Sequence, residues 1–342
     1  MLAGGDRESV GAGFTDSGFR KVVAMDLKDL KCLVAVAESG SFIRAAALLH
    51  MSQPSVSSRM RTLEDRLGVV LFQRTSKGIQ ITEEGQELLQ HASIIIRQLE
   101  NAEAEMNSFR QSPVGLVRLG LPTSLIASFA TPILERCMEE IPGVKLRIVE
   151  SMSGYIIQWL QGDILDVGIT FGASAPPGVS ITSLAREDLL LVGKNEESLN
   201  FYKNSSGDVQ FSALSDINLI LPGPEHGLRT LIEKQANKQA VKINVVIEID
   251  AFGEIQRLVS KGYGYTIMSS AAFNDGFCQD LVACRVANPA ISRVVNVSFP
   301  TARIRSRASK EVARIIEELV WEKIQGETWL ATADPIFMKK HR

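Results

Sequence analysis

Apolar residues recur at helical spacing through the first third of the chain and in short alternating segments beyond it. From Asp26 to Glu38, the residues Leu27, Leu30, Leu33, Val34 and Ala37 share one face, and Ser39-Gly40 stops the pattern. Phe42, Ala45, Ala46 and Leu49 form a second, shorter stripe. After a polar break at His50-Met51-Ser52, the apolar positions Val56, Met60, Leu63 and Leu67 predict the buried side of a further helix. Ser52 stands where an N-cap belongs, and Pro54 falls in the first helical turn. VVLFQRTSKGIQIT, ending at Thr82, sets β-branched residues around a Ser-Lys-Gly turn and predicts a small hairpin. From Glu83 to Arg110, Leu88, Ala92, Ile95, Leu99, Ala102, Met106 and Phe109 trace a heptad seam.

Ser112-Pro113 breaks that helix. Strand-like and helix-like segments then alternate: GLVRLGLP, a helix to Glu140, VKLRIVE, a short helix from Ser153 to Gln161, and LDVGITF. Two strand-like runs in ITSLAREDLLLVG follow, then INLILP, a helix around His226 to Gln239, NVVIEI, a helix from Phe252 to Lys261, YTIM, VVNVSFP and a last helix from Ser309 to Ile324. Such alternation predicts parallel α/β sheets. Two comparable sets of units predict two lobes within a domain over 113–330, one from 114–185 plus 287–325 and the other from 186–286. Residues 331–342 are read as a tail and 1–24, Gly-rich and without an apolar core, as a disordered extension. Met25, where the first helical pattern begins, reads as a natural start.

Two short helices, a tight turn and a donor-rich second helix compose a helix-turn-helix, whose second helix enters the DNA major groove. Opposite the Val56 stripe lie Gln53, Ser55, Ser57, Ser58, Arg59, Arg61 and Thr62. Between Ser41 and Thr82, six basic residues (Arg44, Arg59, Arg61, Arg66, Arg74, Lys77) face two acidic ones (Glu64, Asp65), in a chain with a formal net charge of −2. Phosphate contact needs such a basic island. Gln53, Ser55, Ser57 and Arg59 are the candidate base readers, because Gln pairs with adenine and Arg with guanine. Pro54, Ser58 and Arg61 complete the DNA-facing surface, and Arg74, Ser76 and Lys77 at the hairpin tip suit backbone or minor-groove contact. An ordinary helical hairpin with a solvated charged face is the alternative that pattern alone leaves.

AAALLHMSQPSVSSRMRTLEDRLGVVLFQRT resembles the N-terminal domain of LysR-type transcriptional regulators. The resemblance rests on the Ala-Ala pair, Leu-His before the turn, Ser-Gln-Pro-Ser-Val-Ser, Leu-Glu, Leu-Gly, Leu-Phe-x-Arg, and Thr82-x-x-Gly85 in one register, and it extends more weakly to about Trp329. Ser58 departs from it, since the family often carries Arg there. The resemblance implies a mixed fold. A winged helix-turn-helix over 25–82 and a linker helix over 83–112 precede a two-lobed α/β domain resembling periplasmic binding proteins. It implies a double-stranded DNA operator, a small-molecule effector in the cleft, a homodimer or homotetramer, and RNA polymerase as a further candidate partner. The heptad helix carries six acidic residues against two basic, so it does not lie on DNA. Its unpaired stripe needs a partner, either the same helix of a second subunit, parallel or antiparallel, or its own chain.

In open α/β sheets, ligands sit beyond the carboxyl ends of strands. Those ends carry Thr123 and Ser124, then Ser151 and Ser153, then Phe171, and finally the turn Pro222 to Gly227 with His226. Hydroxyls beside helix N-termini suit a carboxylate or other small anion. Thr123, Ser124 and His226 lead, with Thr266 in support; Arg229 is placed to reach an anion or to form a local ion pair. Plain helix capping by Thr123 and Ser124 is the alternative, and it needs no ligand. A regulator without an effector, or a solute-binding protein without DNA, stays open on these residues.

Composition narrows the rest. A length of 342 residues suggests two or three domains, and 45% hydrophobic content allows full cores. No apolar run reaches the roughly 18 residues that span a bilayer, and the N-terminus has no signal-peptide pattern, so a cytoplasmic protein is expected. Cys32, Cys137, Cys278 and Cys284 form no Cys-x-x-Cys pair and no zinc spacing, so no metal is expected. Cys278 and Cys284 are close enough to weigh a redox role. Ser124, His226 and Asp250 offer serine-hydrolase residue types without a nucleophile elbow, and neither a dinucleotide fingerprint nor a phosphate loop appears. Neither catalysis nor a cofactor is expected.

Overall fold

The computed structural model describes residues 25–75, 78–108, 112–273 and 281–341. The expectations for residues 1–24, Ser76, Lys77, Phe109 and Cys278, and for the side chain of Arg74, lie outside them. The chain divides into two compact units, Met1–Glu100 and Asn101–Arg342.

The first unit contains helices α1 (Leu27–Ser39), α2 (Phe42–Leu48) and α3 (Gln53–Leu67), the hairpin strands β1 (Phe72–Thr75) and β2 (Gly78–Ile81), and most of α4 (Glu83–Ser108). Each of the first three helices opens on a side-chain cap. Asp26 and Asp29 form a capping box on α1, Ser41 accepts from the Arg44 N–H, and Ser52 accepts from the Ser55 N–H. Leu33, Val36, Ala45, Val56, Met60, Leu63 and Leu71 form the core that these helices share.

Two of the short motifs acquire a physical reason. Glu64 Oε1 accepts the N–H groups of Leu71 (2.7 Å) and Phe72 (3.2 Å), tying the end of α3 to the hairpin. Thr82 Oγ1 donates to the Val70 carbonyl (2.6 Å) and accepts the Gly85 N–H (3.0 Å). A Cβ on Gly85 would collide with the Leu71 carbonyl oxygen, so only glycine lets α4 start there.

The heptad seam of α4 splits in use. Leu88 and Ala92 pack into the first core, together with Ile96 from outside the seam. Ile95, Leu99 and Met106 stay exposed at 47%, 40% and 60%.

The second unit opens with β3 (Gly115–Pro122), α5 (Thr123–Glu140), β4 (Val144–Ser151), α6 (Ser153–Gln161) and β5 (Val167–Phe171). Then come β6 (Val179–Gly193), α7 (Glu196–Asn200), β7 (Val209–Gln210), β8 (Asn218–Leu221), α8 (Gly227–Lys238), β9 (Asn244–Glu248), α9 (Phe252–Ser260) and β10 (Thr266–Ser269). It closes with β11 (Val282–Ala287), β12 (Ser292–Pro300), α10 (Arg307–Gln325), β13 (Ala331–Ala333) and α11 (Pro335–His341). The main sheet runs β4-β3-β5-β12-β6-β11-β7, with β10 and β13 also paired to β6.

Three features differ from the sequence reading. The two runs in ITSLAREDLLLVG are one 15-residue strand, β6, which pairs with β12 in one lobe and with β10 and β11 in the other. The sheet is mixed: β3, β4 and β5 are parallel, but β12 runs antiparallel to β5 and β6, because chain segments pass between the lobes in both directions. Residues 331–341 are not a tail, since β13 pairs with β6 and Phe337 is buried in the first lobe's core. That core includes Val117 to Ala185 and Val295 to Phe337, and a second core runs from Leu189 to Ile291. Leu330 turns the chain back by donating its N–H to Ser270 Oγ (2.9 Å).

Gly85→Ala is expected to lower the stability of the DNA-binding unit by about 1–3 kcal/mol, the usual cost of forcing a methyl group into a packed site. Gly154→Ala, with nothing within 4 Å of its new Cβ, serves as the neutral control. Equal thermal midpoints for the two variants would contradict the packing assigned to Gly85.

Candidate DNA interface and effector cleft

On α3, Val56, Met60 and Leu63 face the core, while Gln53, Pro54, Ser55, Ser58 and Arg61 are exposed and Ser57 is half-buried. Arg61 makes no hydrogen bond or ion pair with any described residue. Ser55 also bonds the capping hydroxyl of Ser52 (2.7 Å). Arg59 is placed differently from these. Its Nη1 donates to both carboxylate oxygens of Asp26 (3.0 Å each) and to Asp29 Oδ1 (2.7 Å), so it faces α1 and not the open side of α3. These bonds, from Asp29 first and Asp26 next, raise its pKa. Arg66, two turns on, pairs with Asp29 Oδ2 (2.8 Å), and Arg44 donates to the Ser39 carbonyl. Half of the basic island is thus engaged inside its own domain.

In the second unit, α5 starts at Thr123 behind Pro122 and α6 starts at Ser153 behind Met152; neither helix has a side-chain cap. Their first N–H groups therefore face the strand ends without a protein acceptor from a cap. Ser151 ends β4 beside Pro122. Ser153 Oγ accepts the Phe171 N–H (3.0 Å), so this hydroxyl is engaged in holding β5 to α6. Thr123 and Ser124 are half-buried at the start of α5.

Two charged residues absent from the sequence-based set dominate the geometry. Glu187 on β6 is fully buried, and its carboxylate accepts from Arg293 Nε, from Ser269 Oγ and from Trp329 Nε1 (2.9 Å). Arg293 lies directly across on β12, with its guanidinium carbon 3.4 Å from the centre of the Phe171 ring and its Nη2 donating to Ser124 Oγ (2.9 Å). Its Nη1 makes no hydrogen bond to any described residue. Burial lowers the Arg293 pKa, and Glu187 opposes that shift. In the sequence, Arg293 is the single charge in the strand run SRVVNVSF and so signals a buried charge in need of a partner, whereas Glu187 stands between Arg186 and Asp188 in AREDLLLVG and does not stand out.

His226 caps α8 through Nδ1, which accepts the Leu228 N–H (3.1 Å), so the ring is neutral with its proton on Nε2. Burial lowers its pKa, nearby Arg293 lowers it further, and Asp250 opposes both. Of the expected members, Ser124 and Phe171 touch Arg293, and His226 lies within range of its charge. Thr266 does not join them: it is buried at the start of β10 opposite Val192, and Ser269, at the other end of that strand, reaches the site through Glu187. Arg229 forms the local alternative, pairing with Glu233 (2.6 Å) and Glu248 (3.0 Å). The hydrolase residue types are not assembled as a relay, because His226 Nδ1 serves Leu228 and Asp250 accepts the Gly223 N–H (3.0 Å).

Among the described residues, no cluster of three or more His, Cys, Asp or Glu could hold a metal, and no helix is long and apolar enough to cross a membrane. Cys137 and Cys284 are buried, and burial pushes both thiols up to about 11, which keeps them protonated and poor redox nucleophiles.

A family model described as the bacterial regulatory helix-turn-helix protein, lysR family, matches residues 27–86, and the LysR substrate binding domain matches residues 110–321. The chain belongs to the LysR family. It is a DNA-binding transcriptional regulator with an N-terminal helix-turn-helix and a two-lobed α/β domain. The nitrogen assimilation regulatory protein nac of Klebsiella aerogenes is 28% identical over 299 residues, covering 86% of this chain and 95% of that protein. Among solved structures, full-length CbnR complexed with its target DNA matches with a TM-score of 0.64 at 20% identity, covering 87% of this chain and 99% of that one. A full-length variant of OxyR from Pseudomonas aeruginosa matches with a TM-score of 0.65 at 19% identity, covering 86% of this chain and 94% of that one. This LysR-type chain shares the fold of both.

The His226 cap makes the effector domain pH-sensitive. The folded protein holds His226 neutral where the unfolded chain takes up a proton, so this stability is complete above about pH 6.5 and is lost as pH falls through the lowered folded value. His226→Asn keeps a capping side chain. Its thermal midpoint is expected to fall less than that of the native protein between about pH 7.5 and about pH 5.5. An identical fall in both proteins would contradict the assignment.

Proposed function

We propose that the cleft at Arg293 binds a small organic anion and that its occupancy sets how a homo-oligomer of this LysR-type regulator engages its operator. The observation that carries the reading is the Arg293 guanidinium, buried on β12 against Phe171, with Nη1 unpartnered among the described residues. Glu187 balances its charge, while the uncapped N-termini of α5 and α6 each add about half a positive charge to the same strand ends. A carboxylate there would accept from Arg293, from Thr123 and Ser124 and from the first N–H groups of α5, with Ser151 and His226 at its rim. Binding so defined is non-catalytic, and neither a metal nor a cofactor enters it.

For DNA, we place α3 in the major groove, with Gln53, Ser55, Ser57, Ser58 and Arg61 toward the bases and Pro54 shaping the entry turn. Arg74, Ser76 and Lys77 stand for the phosphate contacts of the wing. A second copy of the chain covers the exposed Ile95, Leu99 and Met106 stripe of α4, which gives two recognition helices for two half-sites. The cytoplasm, where the operator is, is the place of action.

A thermal-shift series with small mono- and dicarboxylates at fixed ionic strength tests the cleft. A ligand present at a hundred times its Kd stabilises the native protein by about 2.7 kcal/mol. The shift is expected to vanish in Arg293→Gln and to shrink in Ser124→Ala. A full shift in Arg293→Gln would place the anion elsewhere, and no shift with any anion would favour a regulator that works without an effector.

A further inference from the structure

The recognition helix carries a charge arrangement that its DNA-binding role does not require. Arg59 and Arg66 lie seven residues apart on α3, two turns along one flank, and both turn to α1. Asp29, only 1% exposed, receives Arg59 on Oδ1 and Arg66 on Oδ2, and its Oδ2 also accepts the Asp26 N–H (3.1 Å). Asp26 receives Arg59 on both oxygens and the Asp29 N–H on Oδ1 (2.8 Å). Two carboxylates and two guanidiniums thus close a neutral network between the start of α1 and the length of α3.

We infer that Asp29, with Asp26, is a specificity-determining pair that withholds Arg59 from the DNA backbone. An unpaired arginine on the flank of a helix lying in the major groove gains a phosphate at any sequence. It strengthens correct and incorrect sites alike and lowers the ratio between them. Turning to a phosphate would cost Arg59 its bonds to two carboxylates and leave the buried Asp29 with Arg66 alone, which holds Arg59 on α1. The same bonds set the rotation of α3 about its axis. With the Arg59 and Arg66 flank held on α1 and the Val56 stripe on the core, Pro54, Ser58 and Arg61 are left facing outward. Positioning and charge removal come from one network.

The test uses the full-length protein, the tightest genomic fragment it recovers, and a scrambled duplex of equal length and composition, titrated between about 50 and 200 mM salt. In Asp26→Asn with Asp29→Asn, asparagine keeps the helix cap while both charges go. The expected result is a several-fold gain in affinity for the scrambled duplex at the low-salt end. The salt slope should steepen by about 0.9 for each arginine that reaches a phosphate, and the ratio between the two duplexes should fall. A parallel loss on both duplexes with unchanged slope would overturn the inference and leave the pair a purely structural role. Arg59→Gln leaves Asp29 paired to Arg66 and serves as the second arm. Its affinities, slope and ratio are expected to stay within about two-fold of native. A loss of discrimination at one base pair in that variant would make Arg59 a base reader and overturn the proposal independently.

Discussion

A single buried carboxylate joins the parts of the effector domain. Glu187 sits on the long strand that both lobes share, and its three donors come from three different places in the chain: Arg293 from β12, Ser269 from the end of β10, and Trp329 from the segment after α10. A carboxylate in that position without partners would be far too costly to bury, so the three elements are constrained to converge. Their convergence fixes Arg293 over Phe171 and against Ser124, at the mouth of two uncapped helices. The proposed anion site is in this sense a by-product of satisfying one negative charge. The C-terminal strand and helix belong to the same constraint, since Trp329 packs edge-on against Phe129 of α5 while it donates to Glu187.

The DNA-binding unit solves a related problem with Asp29. Here too a buried carboxylate gathers cations from an element it must hold, and the result is orientation. The difference lies in what remains free. In the effector domain the gathered arginine keeps an amino group without a partner among the described residues, whereas on α3 the gathered arginines are turned to α1. Counting basic residues along α3 therefore overstates the charge available to phosphates; Arg61 is the exposed arginine of that helix without a partner among the described residues.

Patterns with a short period were legible in the sequence. The cap at Ser52, the buried stripe of α3 and the wing follow from spacing within a few residues, and the Thr82 and Gly85 motif from the family resemblance. Contacts between distant segments were not. Arg59 reads as DNA-facing from the helix wheel, and only the packing of α1 beside it shows two carboxylates within reach. Glu187 and Arg293 are 106 residues apart, and the lone charge of Arg293 in its strand announces a partner without naming it. Thr266 lies one strand end away from Ser269, the residue that reaches Glu187, and the alternation of strands says nothing about which end faces the cleft. The terminal segment looks like a tail in the sequence because its strand is three residues long, too short to leave a periodic trace.

The proposed function couples an anion site in one unit to operator choice by another, and DNase footprinting on the recovered genomic fragment addresses that coupling most directly. With the stabilising carboxylate present at saturation, the predicted result is a changed span or spacing of protected half-sites in the native protein and no change in Arg293→Gln. An identical footprint with and without a ligand that demonstrably binds the native protein would contradict it.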